Sequence, residues 1–126
     1  SYRLVGSEMC IRDRYFLWPV EPQDGPFVYV PGSHRLGARR LQWEQRTADA
    51  AIRHQRQPDV SGSFRIHEDA LAELDLPAPK AFTCPANTLV LADVFGFHRR
   101  GSALPGRRRL SLYGWNRPYP FLPITW

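Results

Sequence analysis

NTLVLADVFGFHRRGSALPGRRRLSLYGW, Asn87 to Trp115, is the stretch from which the fold of this chain is read. Thr88 to Val94 is a run of β-branched and aliphatic residues, apolar at both alternating positions, and predicts a strand buried on both faces. His98 follows at its far end. Gly101, Pro105 and Gly106 interrupt any regular structure. From Arg109 the alternation resumes, with Arg109, Ser111 and Tyr113 on one face and Arg108, Leu110 and Leu112 on the other. Two consecutive strands joined by a short loop are expected to pair antiparallel, which would bring His98 beside the arginines. Such an arrangement can hold a metal and an anion side by side.

Two segments in this order, GPFVYVPGSHR (Gly25 to Arg35) and LADVFGFHRRG (Leu91 to Gly101), resemble the phytanoyl-CoA dioxygenase family of non-haem Fe(II)/2-oxoglutarate-dependent oxygenases. The likeness covers roughly Tyr15 to Pro120. It implies an all-β fold with minor helices, a partial double-stranded β-helix of the jelly-roll or cupin type. It also implies Fe(II), 2-oxoglutarate as co-substrate, O₂, and a small organic molecule as the substrate to be hydroxylated. His98 matches the late iron ligand of that family, and the catalytic residues are those of the metal site alone. Arg109 or Arg108 matches the arginine that anchors 2-oxoglutarate. Arginine suits the task because its planar fork donates two parallel hydrogen bonds to a carboxylate and stays charged when partly desolvated. Arg109 ranks first because its face is shared with Ser111, a small polar neighbour that leaves room for the co-substrate, whereas Arg108 shares its face with two leucines.

The family's remaining iron ligands form a His-x-Asp pair just before the strand that here begins at Tyr15. SEMCIRDR, within residues 1–14, resembles translated sequencing-adapter DNA. The expected division is therefore a non-native segment over 1–14 and an oxygenase portion over 15–126, with Met9 and Cys10 uninformative and the ligand pair missing. A chain without that pair is expected to be inactive by itself. The alternative from another class is a jelly-roll module that binds a ligand and never held iron.

A chain of 126 residues, 43% hydrophobic and 13% aromatic with 12 prolines, fits one β-rich, loop-rich domain. Cys10 and Cys84 have no spacing suited to a disulfide framework or metal knuckle, and Cys84 lies in an apolar context as a small buried residue. No apolar run reaches membrane-span length and no signal peptide is visible, which points to a cytoplasmic protein. The net charge of +5, concentrated in Arg99, Arg100 and Arg107–Arg109, raises nucleic-acid binding as a third reading. No nucleic-acid motif accompanies the charge, and that reading is disfavoured. The oligomeric state is not legible.

Elsewhere, Tyr15–Val20 and Phe27–Val30 are predicted strands forming an antiparallel pair across the turn residues between them. Arg39–Gln57, which contains His54, reads as a surface helix or excursion. Pro58–Ser63 is a loop, Ser63–Ile66 a short strand, and Ala81–Cys84 a strand turning into the central one. Ile66–Leu76 reads as a short helix with acidic residues in its first turn, so His67 and Asp69, although spaced as His-x-Asp, are given a structural role. His34 is expected to hydrogen-bond backbone at the barrel mouth. The tail from Trp115 to Trp126 is expected to cap the barrel or pack along its outside.

Overall fold

The computed structural model describes residues 3–6, 11–53 and 64–116. Met9, Cys10, His54, the 58–63 loop and the tail beyond Asn116 lie outside the described residues. The chain is mostly β, with strands β1 (Arg3–Gly6), β2 (Ile11–Phe16), β3 (Phe27–Tyr29), β4 (Phe64–His67), β5 (Lys80–Phe82), β6 (Thr88–Asp93), β7 (His98–Arg100) and β8 (Ser111–Asn116). Helix α1 (Ala38–Arg53) and a 3₁₀ helix over Glu68–Leu74 complete it. Among the described residues all strand pairs are antiparallel and form two sheets, β4-β1-β7-β3-β5 and β6-β2-β8. Among the described residues the sheets do not close into a barrel.

The larger sheet is covered on one face by helix. Val30, Ile66 and Phe97 meet Trp43 of α1 and Leu71 and Leu74 of the 3₁₀ helix, with Trp43 edge-on to Phe97 at 5.6 Å. Arg40 fastens α1 to this core. Its guanidinium donates to Glu44, to the Ser33 carbonyl and to the Phe95 carbonyl, and it lies 4.3 Å from the centres of both the Phe95 and Phe97 rings. A buried cation is tolerated there because its donors are taken up. The opposite face of the sheet looks toward the smaller one. Arg14 of β2 sits 4.6 Å from the Phe27 ring of β3, and Phe16 and Phe27 are both buried.

Several sequence expectations are corrected. Thr88–Asp93 and Ser111–Asn116 do not pair with each other: β2 lies between them, Leu89 and Leu112 both facing Tyr15. The chain leaves the smaller sheet after Asp93, contributes β7 to the larger one, and returns for β8. For the same reason Tyr15–Val20 and Phe27–Val30 are not a hairpin; the first strand is Ile11–Phe16, and it belongs to the other sheet. Nor is β6 buried on both faces. Its outer side chains Leu89 and Leu91 are 56% and 65% exposed, since no described element packs on that face. The helix over Arg39–Gln57, the strand near Ser63–Ile66 and the one near Ala81–Cys84 appear with shifted ends.

The crossing from β6 to β7 is a tight turn. Asp93 accepts from the Phe95 and Gly96 amides and, through its carbonyl, from the Tyr29 hydroxyl. A Cβ on Gly96 would lie 2.1 Å from that hydroxyl oxygen. Gly96→Ala must therefore displace the ring or the turn and is expected to cost about 2 kcal/mol in urea unfolding. Gly32→Ala, where φ is +79° but nothing lies within 4 Å, is expected to cost less, through backbone conformation alone.

Candidate functional site between the sheets

Period-two alternation along β7 sends His98 and Arg100 to the inter-sheet side and Arg99 to the helical side. Arg99 accordingly bonds Glu68 of the 3₁₀ helix at 2.9 Å. His98 is buried and pairs across to Tyr29, and its ring centre is 5.7 Å from that of Phe27. Its Nδ1 lies 2.9 Å from the Gly96 carbonyl. A carbonyl only accepts, so Nδ1 is the donor, and in the neutral ring the lone pair is on Nε2. This is the tautomer that a metal-ligating histidine adopts when a backbone carbonyl orients it.

The opposing wall comes from β2, β8 and the loop before β8. Arg14, buried, lies against Phe27 and is 5.0 Å from the Tyr113 ring. Arg109 is half-buried, donates to the Gly25 carbonyl, and lies 5.7 Å from the Phe16 ring. The loop that delivers Arg109 is laid along the segment before β3. Gly101 N donates to Pro26 O at 2.7 Å and Leu104 N to Gln23 O at 3.0 Å, while Arg107 grips Asp24 and Glu21. Gly25, at φ +70°, is held where a Cβ would meet Gly101 O at 3.0 Å. Among the described residues no carboxylate lies within ion-pair distance of Arg109.

Arg109, Ser111 and Tyr113 do share a face. The Tyr113 hydroxyl is held below the ordinary tyrosine range first by its hydrogen bond with Ser111, then by the charges of Arg14 and Arg109, against the opposing effect of partial burial. Arg108 is exposed on the other side and lines a surface cavity of about 280 Å³ with Trp18, Pro19, Glu21, Asp24, Gly106 and Arg107. The geometry thus puts Arg109, rather than Arg108, on the inter-sheet side. Arg14 falls within the 1–14 segment that the sequence marks as non-native. Its signal was the alternation in IRDRYF, which places Arg14 with Phe16.

His34 does not bond backbone as expected. Its exposed ring has Nδ1 3.4 Å from the Tyr29 hydroxyl, and Ser33 makes the backbone contacts instead, donating to Val30 O at 2.7 Å and accepting from Phe97 N at 2.8 Å. His67 is exposed at the end of β4, with β1 lying between β4 and β7. Cys84 is half-buried and reduced, and its backbone bridges Val20. Among the described residues, no group of three or more His, Cys, Asp or Glu side chains is placed to hold a metal ion. His98 has the form of a single ligand. No helix among them is long and apolar enough to cross a membrane. No family model, curated protein or solved structure matches the chain.

Two measurements test the electrostatics. In ultraviolet pH titration, compared with Tyr113→Phe as the blank, Ser111→Ala and Arg109→Gln are each expected to raise the Tyr113 pKa, with the larger effect from Ser111. Asp24 is held below the ordinary carboxylate value first by the Glu21 backbone amide, then by Arg107 against partial desolvation. A lowered folded pKa stabilises above the unfolded value, and that contribution is lost as pH falls below roughly 4. Asp24→Asn is expected to flatten the loss of stability in that range, read from urea midpoints.

Proposed function

We propose that the chain is jelly-roll sequence of an Fe(II)/2-oxoglutarate-dependent oxygenase resembling the phytanoyl-CoA dioxygenase family, and that its inter-sheet space binds the co-substrate's carboxylate. The observation that carries this reading is that His98, whose Nδ1 donates to the Gly96 carbonyl, and Arg109, which bonds a backbone carbonyl and no described carboxylate, are both on the inter-sheet side. The strand path supports it: β5 to β8 alternate between the two sheets, as a jelly roll requires. In this reading Arg109 anchors the distal carboxylate by paired hydrogen bonds, Ser111 and Tyr113 line the same side, and Phe16 and Phe27 keep water away. His98 is the late iron ligand of a set that the described residues do not complete. The substrate is taken to be a small organic molecule, and the free thiol of Cys84 fits a reducing compartment such as the cytoplasm.

The incomplete ligand set favours a second reading, a non-catalytic jelly-roll module that binds an organic carboxylate without iron. Calorimetric titration of 2-oxoglutarate, with and without Fe(II) under anaerobic conditions, separates the two. On the oxygenase reading 2-oxoglutarate binds, Arg109→Ala weakens it roughly 10- to 100-fold, and Fe(II) adds affinity that His98→Ala removes. Binding that is indifferent to Fe(II) and to His98 supports the module. Absence of binding, or binding that Arg109→Ala leaves unchanged in a folded protein, defeats both.

A further inference from the structure

Strand β6 is an edge of the smaller sheet: β2 pairs with one side of it, and no described strand pairs with the other. An open edge presents a row of backbone donors and acceptors, and proteins commonly protect such edges with charge, proline or a bulge. Thr88–Ala92, TLVLA, has none of the three. Its outward leucines, Leu89 and Leu91, are more than half exposed, and the same face continues across the sheet to Leu112, 57% exposed.

We infer that β6 is the self-association edge of this protein, pairing antiparallel with β6 of a second copy about a two-fold axis at Val90. The strand is self-complementary about that residue. Val90 meets its own counterpart, Leu89 meets the partner copy's residue 91, and Thr88 meets residue 92. The leucines of both copies then fall on one face as directly opposed pairs, the arrangement in which cross-strand apolar pairs stabilise a sheet. Asp93 would face the amide of residue 87, so no like charges are opposed. The result is a continuous six-stranded sheet with an isologous interface.

Charge selects this edge over the others. Two copies of a chain with net charge +5 repel where their basic surfaces approach. Strand β5 opens on Lys80 and β4 carries Arg65 and His67. Strand β8 is flanked in sequence by Arg107–Arg109 and Arg117, so antiparallel pairing of two β8 strands would set arginine against arginine. Strand β6 is uncharged from Thr88 to Ala92.

Sedimentation equilibrium of the 126-residue chain from low micromolar to near-millimolar concentration is expected to show a monomer–dimer equilibrium. Leu91→Lys places a charge against its opposed leucine at each of two symmetric pairs and is expected to weaken the dimer about tenfold or more. Leu112→Lys, on the same face but two strands from the axis, is expected to shift it less than about twofold. Both side chains are exposed in the monomer, so circular dichroism should remain that of the parent. In a Cys10→Ser, Cys84→Ser background, Val90→Cys is expected to form a covalent dimer on mild oxidation and Thr88→Cys is not. A monomer throughout the concentration range overturns the inference. So does equal weakening by Leu112→Lys, which would mean face-to-face association, or equal cross-linking at residue 88, which would mean another register.

Discussion

Alternation along the three residues of β7 is the constraint on which the two layers depend. His98–Arg100 is the strand between β1 and β3 in the larger sheet, and its side chains point to opposite faces in turn. Arg99 is sent to the helical layer, where Glu68 receives it, and His98 to the inter-sheet layer, against Phe27. Shifting the strand by one residue would put a histidine into the α1 side and two arginines at odds with both environments. The turn before β7 fixes that register, because Gly96 fits beneath the Tyr29 hydroxyl and Ser33 ties Phe97 to the turn after β3.

The arginines divide by environment. Arg40 is buried with its donors satisfied by carbonyls and Glu44, and it serves to attach α1. Arg107 is spent on Asp24 and Glu21, which lays the 101–110 loop against the segment leading into β3. Arg14 and Arg109 face the inter-sheet space and act together on Tyr113. Two like charges converging on one hydroxyl in a partly desolvated place favour an anionic ligand, since a carboxylate there relieves their mutual repulsion.

Much was legible because local signals agreed. The spacing in Arg39–Gln57 announced α1, the acidic residues after Ile66 announced the 3₁₀ helix, and the alternation from Arg109 placed Ser111 and Tyr113 on its face. His98 stood out at the end of an apolar run. What misled was adjacency. Consecutive strands were expected to pair, but here the chain changes sheet after Asp93 and again before Ser111, and nothing in the composition of a loop says which sheet its far end joins. The double-sided burial expected of β6 failed for a related reason: an apolar strand reads the same whether a layer covers its outer face or not.

The sequence by itself determined where the helices and several of the strands form, though not β1, the start of β2 or β7, and also which residues share a face and that a histidine and an arginine run flank one loop, because these depend on backbone period and side-chain chemistry within a few residues. Tertiary structure decided which strands are neighbours, that β2 separates β6 from β8, and that Arg14 belongs with Arg109 and Tyr113. Those outcomes rest on contacts between residues as far apart as Arg14 and Tyr113, whose approach is set by the packing of two sheets and leaves no local trace in the chain.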